Sequence, residues 1–334
     1  MRYGLIGLIA SVIAIIFITT QLNIDNFQSA WTDANYIYLL PTVMFLLLGL
    51  VARAIRWRIL LSDALPLSRA FSILNVAYLI NGFIPFRVGE LARAYLASRS
   101  DPPVHIMKSM STIIVERLLD LLAVVLMMAV ALTAGPVPNW LRVAGFSSGA
   151  MALVGFLMLV FLSRQRDLTH RLLNWFSERF AFLDRLQVKS LLDHFLDGLL
   201  PLAQTRTLAP ALFWNAVSWG LSVLAGYVLM FAFFDEASWA VTCLYIAAAA
   251  FSIAVPAVPG NIGTYEAAIF GALSAFGYGE PESTAIAFAL AVHAINVGVH
   301  ALTGIVGFVQ EGITLDQLSQ GVRKVTEVNQ AGTV

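Results

Sequence analysis

The stretch Tyr78-Leu-Ile-Asn-Gly-Phe-Ile-Pro-Phe-Arg-Val-Gly-Glu-Leu-Ala-Arg-Ala-Tyr-Leu-Ala97 places Asn81, Pro85, Arg87, Gly89, Glu90 and Arg93 between apolar runs. The chain around it is hydrocarbon-like: 334 residues, 59% hydrophobic, 12% charged, with a mean hydropathy of +0.80. Soluble domains carry roughly a quarter charged residues, so this composition belongs to an integral membrane protein. A proline, a glycine and charges at membrane depth expose backbone and side-chain polarity, which is tolerated only inside protein or beside a wet cavity.

Working outward, apolar segments long enough to cross the hydrocarbon fall at 3–20, 36–54, 109–134, 140–163, 210–234 and 283–309. The first of these follows Arg2 and lacks a cleavage site, so it reads as a retained helix rather than a signal peptide. Two further stretches, 70–98 and 238–277, are apolar but interrupted, the second at Val255-Pro-Ala-Val-Pro-Gly-Asn-Ile-Gly-Thr-Tyr-Glu266. The pattern predicts an all-α polytopic membrane protein with about six full transmembrane helices and two re-entrant helical hairpins. Eight full spans, with the broken stretches crossing, is the alternative.

Lysine and arginine concentrate in alternate connections. Arg53, Arg56, Arg58 and Arg69 follow the second span, Arg93, Arg99 and Lys108 precede the third, and seven more fill 164–206. The segments 21–35, 135–139 and 278–282 carry none. The positive-inside rule then puts both termini in the cytoplasm. With 70–98 entering from one side and 238–277 from the other, residues 1–134 and 139–310 become two repeats of opposite orientation. Each reads span, span, hairpin, span. Both breaks carry a proline, then glycine and glutamate: Pro85, Gly89, Glu90 and Pro259, Gly263, Glu266. Inverted repeats with paired broken helices mark transporters whose substrate sits near the midplane. Segment 164–208 has apolar residues at helical spacing and reads as cytoplasmic amphipathic interfacial helices or as a linker between halves; 311–334 is a cytoplasmic tail.

Ionisable residues within membrane segments mark candidate sites. They are Arg87, Glu90, Arg93, Glu116, Arg117 and Asp120 in the first half, and Glu266, His293 and His300 in the second. Arg87, Glu90 and Arg93 at spacing three form either a self-neutralising stripe, with Arg93 pairing Glu90, or a set of guanidinium forks for phosphate. The helix starting after Pro259 and Gly260 aims free backbone donors into its break, as anion sites do; glycines 260, 263 and 271 serve close packing equally well. Glu266 requires a partner, a proton or a cation. His293 and His300, a heptad apart with Asn296 between, lack the company of a metal site; a proton relay from Glu266 to His293 is the functional alternative to hydrogen-bonded core histidines. Cys243 stands alone, which excludes an intramolecular disulfide. No nucleotide loop, metalloprotease motif or nucleophile elbow is present, and no cofactor is implied. Equal numbers of acidic and basic residues, 20 each, argue against nucleic acid.

Three motifs resemble the lysylphosphatidylglycerol synthase transmembrane family, also called the flippase-like domain family. They are Asn81-x3-Pro85-x-Arg87-x-Gly89-Glu90-x2-Arg93, the following Ser-Thr-Ile-Ile-Val-Glu116-Arg117-Leu-Leu-Asp120, and Pro256-x2-Pro259-Gly260-x-Ile262-Gly263-x2-Glu266. The resemblance runs from the first span to about residue 310, with His293 at the family's histidine-or-arginine position in the last span. It implies a protein of a bacterial or archaeal cytoplasmic membrane. In the best-known members this region moves an aminoacylated phospholipid between leaflets beside a cytosolic transferase domain. The last expected span here ends 25 residues before the terminus, at 309 of 334, so that domain is not expected. The expected role is a flippase for an anionic or zwitterionic phospholipid or a polyprenyl-phosphate-linked lipid. The substrate contacts would be Asn81, Pro85, Arg87, Gly89, Glu90, Arg93, Glu116, Arg117, Pro259, Gly260, Gly263, Glu266 and His293. A membrane transferase or hydrolase on a lipid-linked substrate, and a scaffold for a separately encoded lipid-modifying enzyme, are the alternatives.

Overall fold

A computed structural model describes residues 24–84, 87–134, 139–165, 171, 188–254, 259–314, 317 and 320. Eleven α-helices account for nearly all of them: α1 Ile24–Thr32, α2 Leu39–Leu60, α3 Leu67–Phe83, α4 Val88–Ser98, α5 Ile106–Ala134, α6 Asn139–Arg164, α7 Val188–Ala203, α8 Thr205–Met230, α9 Trp239–Ala254, α10 Thr264–Ser274 and α11 Glu282–Glu311. The expected span 3–20, the tip Pro85 and most of the tail lie outside the described residues.

Among the described residues, three helical stretches are long and apolar enough to cross a membrane: Tyr36–Leu60, Thr205–Met230 and Glu282–Glu311. The 29-residue α5 matches them in length, but Lys108, Glu116, Arg117 and Asp120 interrupt its apolar sequence. The segment 21–35, expected as a loop, contains α1. Phe27 and Trp31 stack edge-on with ring centroids 6.2 Å apart, and Trp31 meets Phe233 at 5.8 Å. A four-residue aromatic spacing thus supplies the apolar side that a short helix needs to dock.

Both interrupted stretches are helical hairpins. In the first, α4 folds back on α3 so that Arg69 donates a hydrogen bond to the Arg99 carbonyl at 3.2 Å, joining the two ends. The turn-back is tight because Gly89 has no Cβ. One placed there would stand 2.1 Å from the Ala77 carbonyl oxygen, and the Gly89 N–H donates to Asn81 Oδ1 at 2.8 Å. In the second, α10 returns along α9, and Phe234 and Tyr278 close the ends with ring centroids 5.4 Å apart. The residue before each returning helix sits at positive φ, Arg87 at 54° and Gly263 at 88°. For arginine that conformation costs about 1–2 kcal/mol, a strain that the hairpin fixes at its tip.

Packing pairs the halves. α2 lies along α8, α3 along α11, and α5 along α9. Small residues allow the closest of these approaches: at Gly307 a Cβ would stand 2.6 Å from the Ser72 carbonyl oxygen. The tips meet as well, since Gly260 lies 3.6 Å, measured from its Cβ position, from the Gly82 carbonyl oxygen.

Within the segment expected as interfacial helices or as a linker, Val188–Ala203 packs into the bundle: Leu196, Leu199 and Leu202 are buried against Leu60, Val115, Leu119 and Ala211. A helix with one apolar stripe takes whatever apolar surface is nearest, and α5 and α6 supply it here. Residues 172–187 of the same expected segment lie outside the described residues.

Candidate functional site: a cationic chamber between the two breaks

A cavity of about 740 Å³ opens between the hairpins. Its walls come from α2, α3, α4, α5, α8, α9, α10 and α11 and from both breaks, Ile84 and Arg87 at the first and Gly260 and Asn261 at the second. Most of the wall is apolar. The charged groups on it are Arg53, Arg87, Glu90, Arg117 and Asp120, joined by the histidines His293 and His300.

Behind this wall lies an ion network. Glu116, 1% exposed, holds Arg93 at 2.6 Å through Oε2 and Arg56 at 3.3 Å through Oε1. Arg93 also stacks over Trp57 with its guanidinium carbon 3.8 Å from the ring centroid. Arg56 continues to Asp120 at 2.7 Å and to the Asn215 side-chain oxygen. Asp120 in turn accepts from Trp219 Nε1 at 3.1 Å and from Arg117 at 3.4 Å. Arg117 reaches Glu90 at 3.0 Å, and Glu90 holds Arg87 only loosely at 3.7 Å. Buried charges of this kind persist only when each has a partner, and this chain of contacts supplies one to nearly all.

The count does not balance. Arg53, Arg56, Arg87, Arg93 and Arg117 face Glu90, Glu116 and Asp120, and Glu266 beside His293 brings the excess at the chamber to one positive charge. Arg53 makes no ion pair among the described residues; it touches Ser222 Oγ at 3.4 Å and lies 5.6 Å from the Trp219 ring and 5.9 Å from Tyr78. Arg87, 41% exposed, is the other lightly held cation. An apolar chamber with two undercompensated guanidinium groups is arranged for an anion.

In α10, Glu266 is 3% exposed. Its Oε2 accepts from the Gly263 N–H at 2.7 Å, and Oε1 lies 2.5 Å from His293 Nδ1. The Tyr265 ring covers His293 with centroids 4.6 Å apart. The partner that Glu266 required is therefore this histidine together with its own helix N-terminus.

Of the expected contacts, Asn81, Arg87, Glu90, Arg117, Gly260 and His293 line the chamber. Arg93 and Glu116 stand behind it, while Gly89, Gly263 and Glu266 shape the hairpins. Pro85 lies outside the described residues, and Pro259 begins the short turn Pro259–Asn261. Arg93 does not pair with Glu90. Three helical positions rotate it by 300°, onto the side facing Trp57 and α5. Arg53, at the end of the expected span 36–54, and Arg56, expected in the connection after it, are both inside α2: the helix runs to Leu60, with Arg56 2% exposed. An apolar count stops at the first arginine, whereas no helix breaker occurs before Ser62-Asp63. Their three-residue spacing on a continuing helix is the signal that finds them. Asp120 and His300, singled out as ionisable residues in membrane segments, also line the chamber, with Trp219 and Asn261 beside them.

Apolar membrane-length helices, paired hairpins and an internal charged chamber define a polytopic membrane protein with a polar site inside its helical bundle. The family model for the lysylphosphatidylglycerol synthase TM region matches residues 4–304 of 334, and the chain belongs to that family. No curated protein matches it.

Proposed function

We propose that the protein is a lipid flippase of a bacterial or archaeal cytoplasmic membrane, acting as a carrier rather than as a catalyst of covalent change. In this reading an anionic headgroup, of a phospholipid or a polyprenyl phosphate, enters the chamber while its tails remain in lipid. The observation that carries the reading is the pair of lightly held arginines, Arg53 and Arg87, on a mostly apolar wall reached from both breaks. A guanidinium at membrane depth costs several kcal/mol without a partner, and a headgroup phosphate offsets that cost only while it is inside. Arg87, loosely held at a strained tip, makes the first fork; Arg117, kept in place by Glu90 and Asp120, makes the second.

The halves are read as inverted repeats, with both termini cytoplasmic and the hairpins entering from opposite faces. Three features support this. The packing pairs exchange between halves, α3 on α11 answering α9 on α5. Each hairpin closes at its ends. Assigning Arg53 and Arg56 to α2 still leaves Arg58, Arg69, Arg99 and Lys108 to mark one face as cytoplasmic. A separately encoded enzyme that makes or modifies the lipid is the partner this role implies.

The test is a structure in nanodiscs containing phosphatidylglycerol. The expected result is headgroup density between Arg87 and Asn261 with the tails leaving between helices. A chamber filled by ordered water alone, with lipids only around the periphery, would reject the reading.

A further inference from the structure

The two hairpins are latched at equivalent positions by different chemistry. Glu90 and Glu266 are each the third residue of the returning helix, α4 or α10, and Arg117 and His293 are each the twelfth residue of the helix that follows, α5 or α11. Glu90 to Arg117 is 3.0 Å, and Glu266 to His293 is 2.5 Å. The first latch carries a cation that is permanent at any physiological pH. The second carries one that comes and goes with a proton.

The hydrogen-bond pattern says where that proton binds. Glu266 Oε2 accepts from the Gly263 N–H at the start of α10, a position that favours the carboxylate. Oε1 is then an acceptor too, so His293 Nδ1 carries the hydrogen between them. A neutral imidazole with Nδ1–H leaves Nε2 as its bare lone pair. Nε2 has no hydrogen-bond partner among the described residues, and His293 lies on the chamber wall. Proton uptake at Nε2 therefore adds a positive charge and a donor to the chamber without breaking the Glu266 contact.

The other groups around His293 are accounted for. α10 presents Tyr265 and Glu266, α9 presents Tyr245, and α11 itself carries Asn296 and His300. α2 and α3 contribute Arg53 and Tyr78, the latter 5.1 Å from His300 between ring centroids, and the first break, α4 and α5 contribute Arg87, Glu90, Arg117 and Asp120. The charged groups named here balance, three arginines against three carboxylates, so a proton added at His293 gives the chamber a positive charge that an entering anion neutralises.

We infer that His293 couples proton uptake to headgroup binding: one proton is taken up at Nε2 when an anionic headgroup enters and is released when it leaves. This rests on the headgroup-binding reading above and extends it to energy coupling, because a proton gradient then biases the direction of lipid movement. Linkage fixes the sign. If anion binding raises the proton affinity of His293, protonation raises the anion affinity equally, so binding tightens as pH falls.

The test is calorimetric titration of the full-length protein in detergent with short-chain phosphatidylglycerol, in buffers of different ionisation enthalpy. The expected result is a Kd that falls about tenfold between about pH 8 and about pH 5.5, with up to one proton taken up per headgroup. His293→Gln should bind with a flat pH profile. His293→Arg, which copies the first latch, should be flat and as tight as the wild type at acid pH; it keeps the test usable if His293→Gln fails to fold. His300→Gln should keep the wild-type slope. Binding with no pH dependence and no proton uptake overturns the coupling and leaves headgroup binding standing. A slope that survives in His293→Gln, or vanishes in His300→Gln, overturns the assignment to His293. No binding at any pH defeats the headgroup reading and the coupling with it.

Discussion

Glu116→Gln is expected to destabilise the protein by about 3–5 kcal/mol, the cost of breaking a buried ion pair from one side. Glu116 is the single carboxylate between Arg93 and Arg56, at 2.6 and 3.3 Å, and both arginines are almost fully buried. Arg56 retains Asp120, but among the described residues Arg93 is left with the face of Trp57. The thermal unfolding midpoint in detergent and the yield of monodisperse protein report the loss. Adding Arg93→Met should recover part of it by removing the orphaned charge. A single variant as stable as the wild type would mean that Glu116 is not the keystone joining α2, α4 and α5.

Arg87→Lys has the opposite signature: a large functional effect with little change in stability. Arg87 is 41% exposed, and its only carboxylate contact among the described residues is the 3.7 Å approach to Glu90, which Arg117 already holds at 3.0 Å. Its fold contribution is therefore small. Lysine keeps the charge but loses the planar fork, so a two-point grip on phosphate becomes a single contact. A charge-assisted hydrogen bond contributes about 1.5–3 kcal/mol, so lipid movement should slow about tenfold to a hundredfold. A near-silent Arg87→Lys, or rescue by exchanging Arg87 and Glu90, would make Arg87 a structural ion only.

Most helices were legible because hydrophobic run length is a strong signal. The expected 140–163 and 283–309 differ from α6 and α11 by one or two residues at each end. The interruptions at Pro85 and at Pro256 to Gly263 located both hairpins, since proline and glycine act locally on the backbone. What sequence did not disclose is what depends on rotation about a helix axis and on distant partners. Glu90 and Arg93 look like a pair by spacing, yet α5 takes them apart: Arg117 claims Glu90 and Glu116 claims Arg93. Arg53 and Arg56 were hidden because arginine near the end of an apolar run resembles a cytoplasmic flank. The chamber's charge excess emerged only when residues from α2 were added to those of α4 and α5.

The central claim is that an anionic headgroup crosses through the chamber between the breaks. The measurement that tests it most directly is leaflet accessibility in sealed vesicles containing the purified protein and a fluorescent phosphatidylglycerol, with an impermeant quencher added outside. The account predicts that wild-type protein brings inner-leaflet probe to the quencher well above protein-free vesicles, and that Arg87→Lys, equally folded and equally incorporated, does so about tenfold or more slowly. Wild-type and Arg87→Lys vesicles moving the probe at one common rate would contradict it.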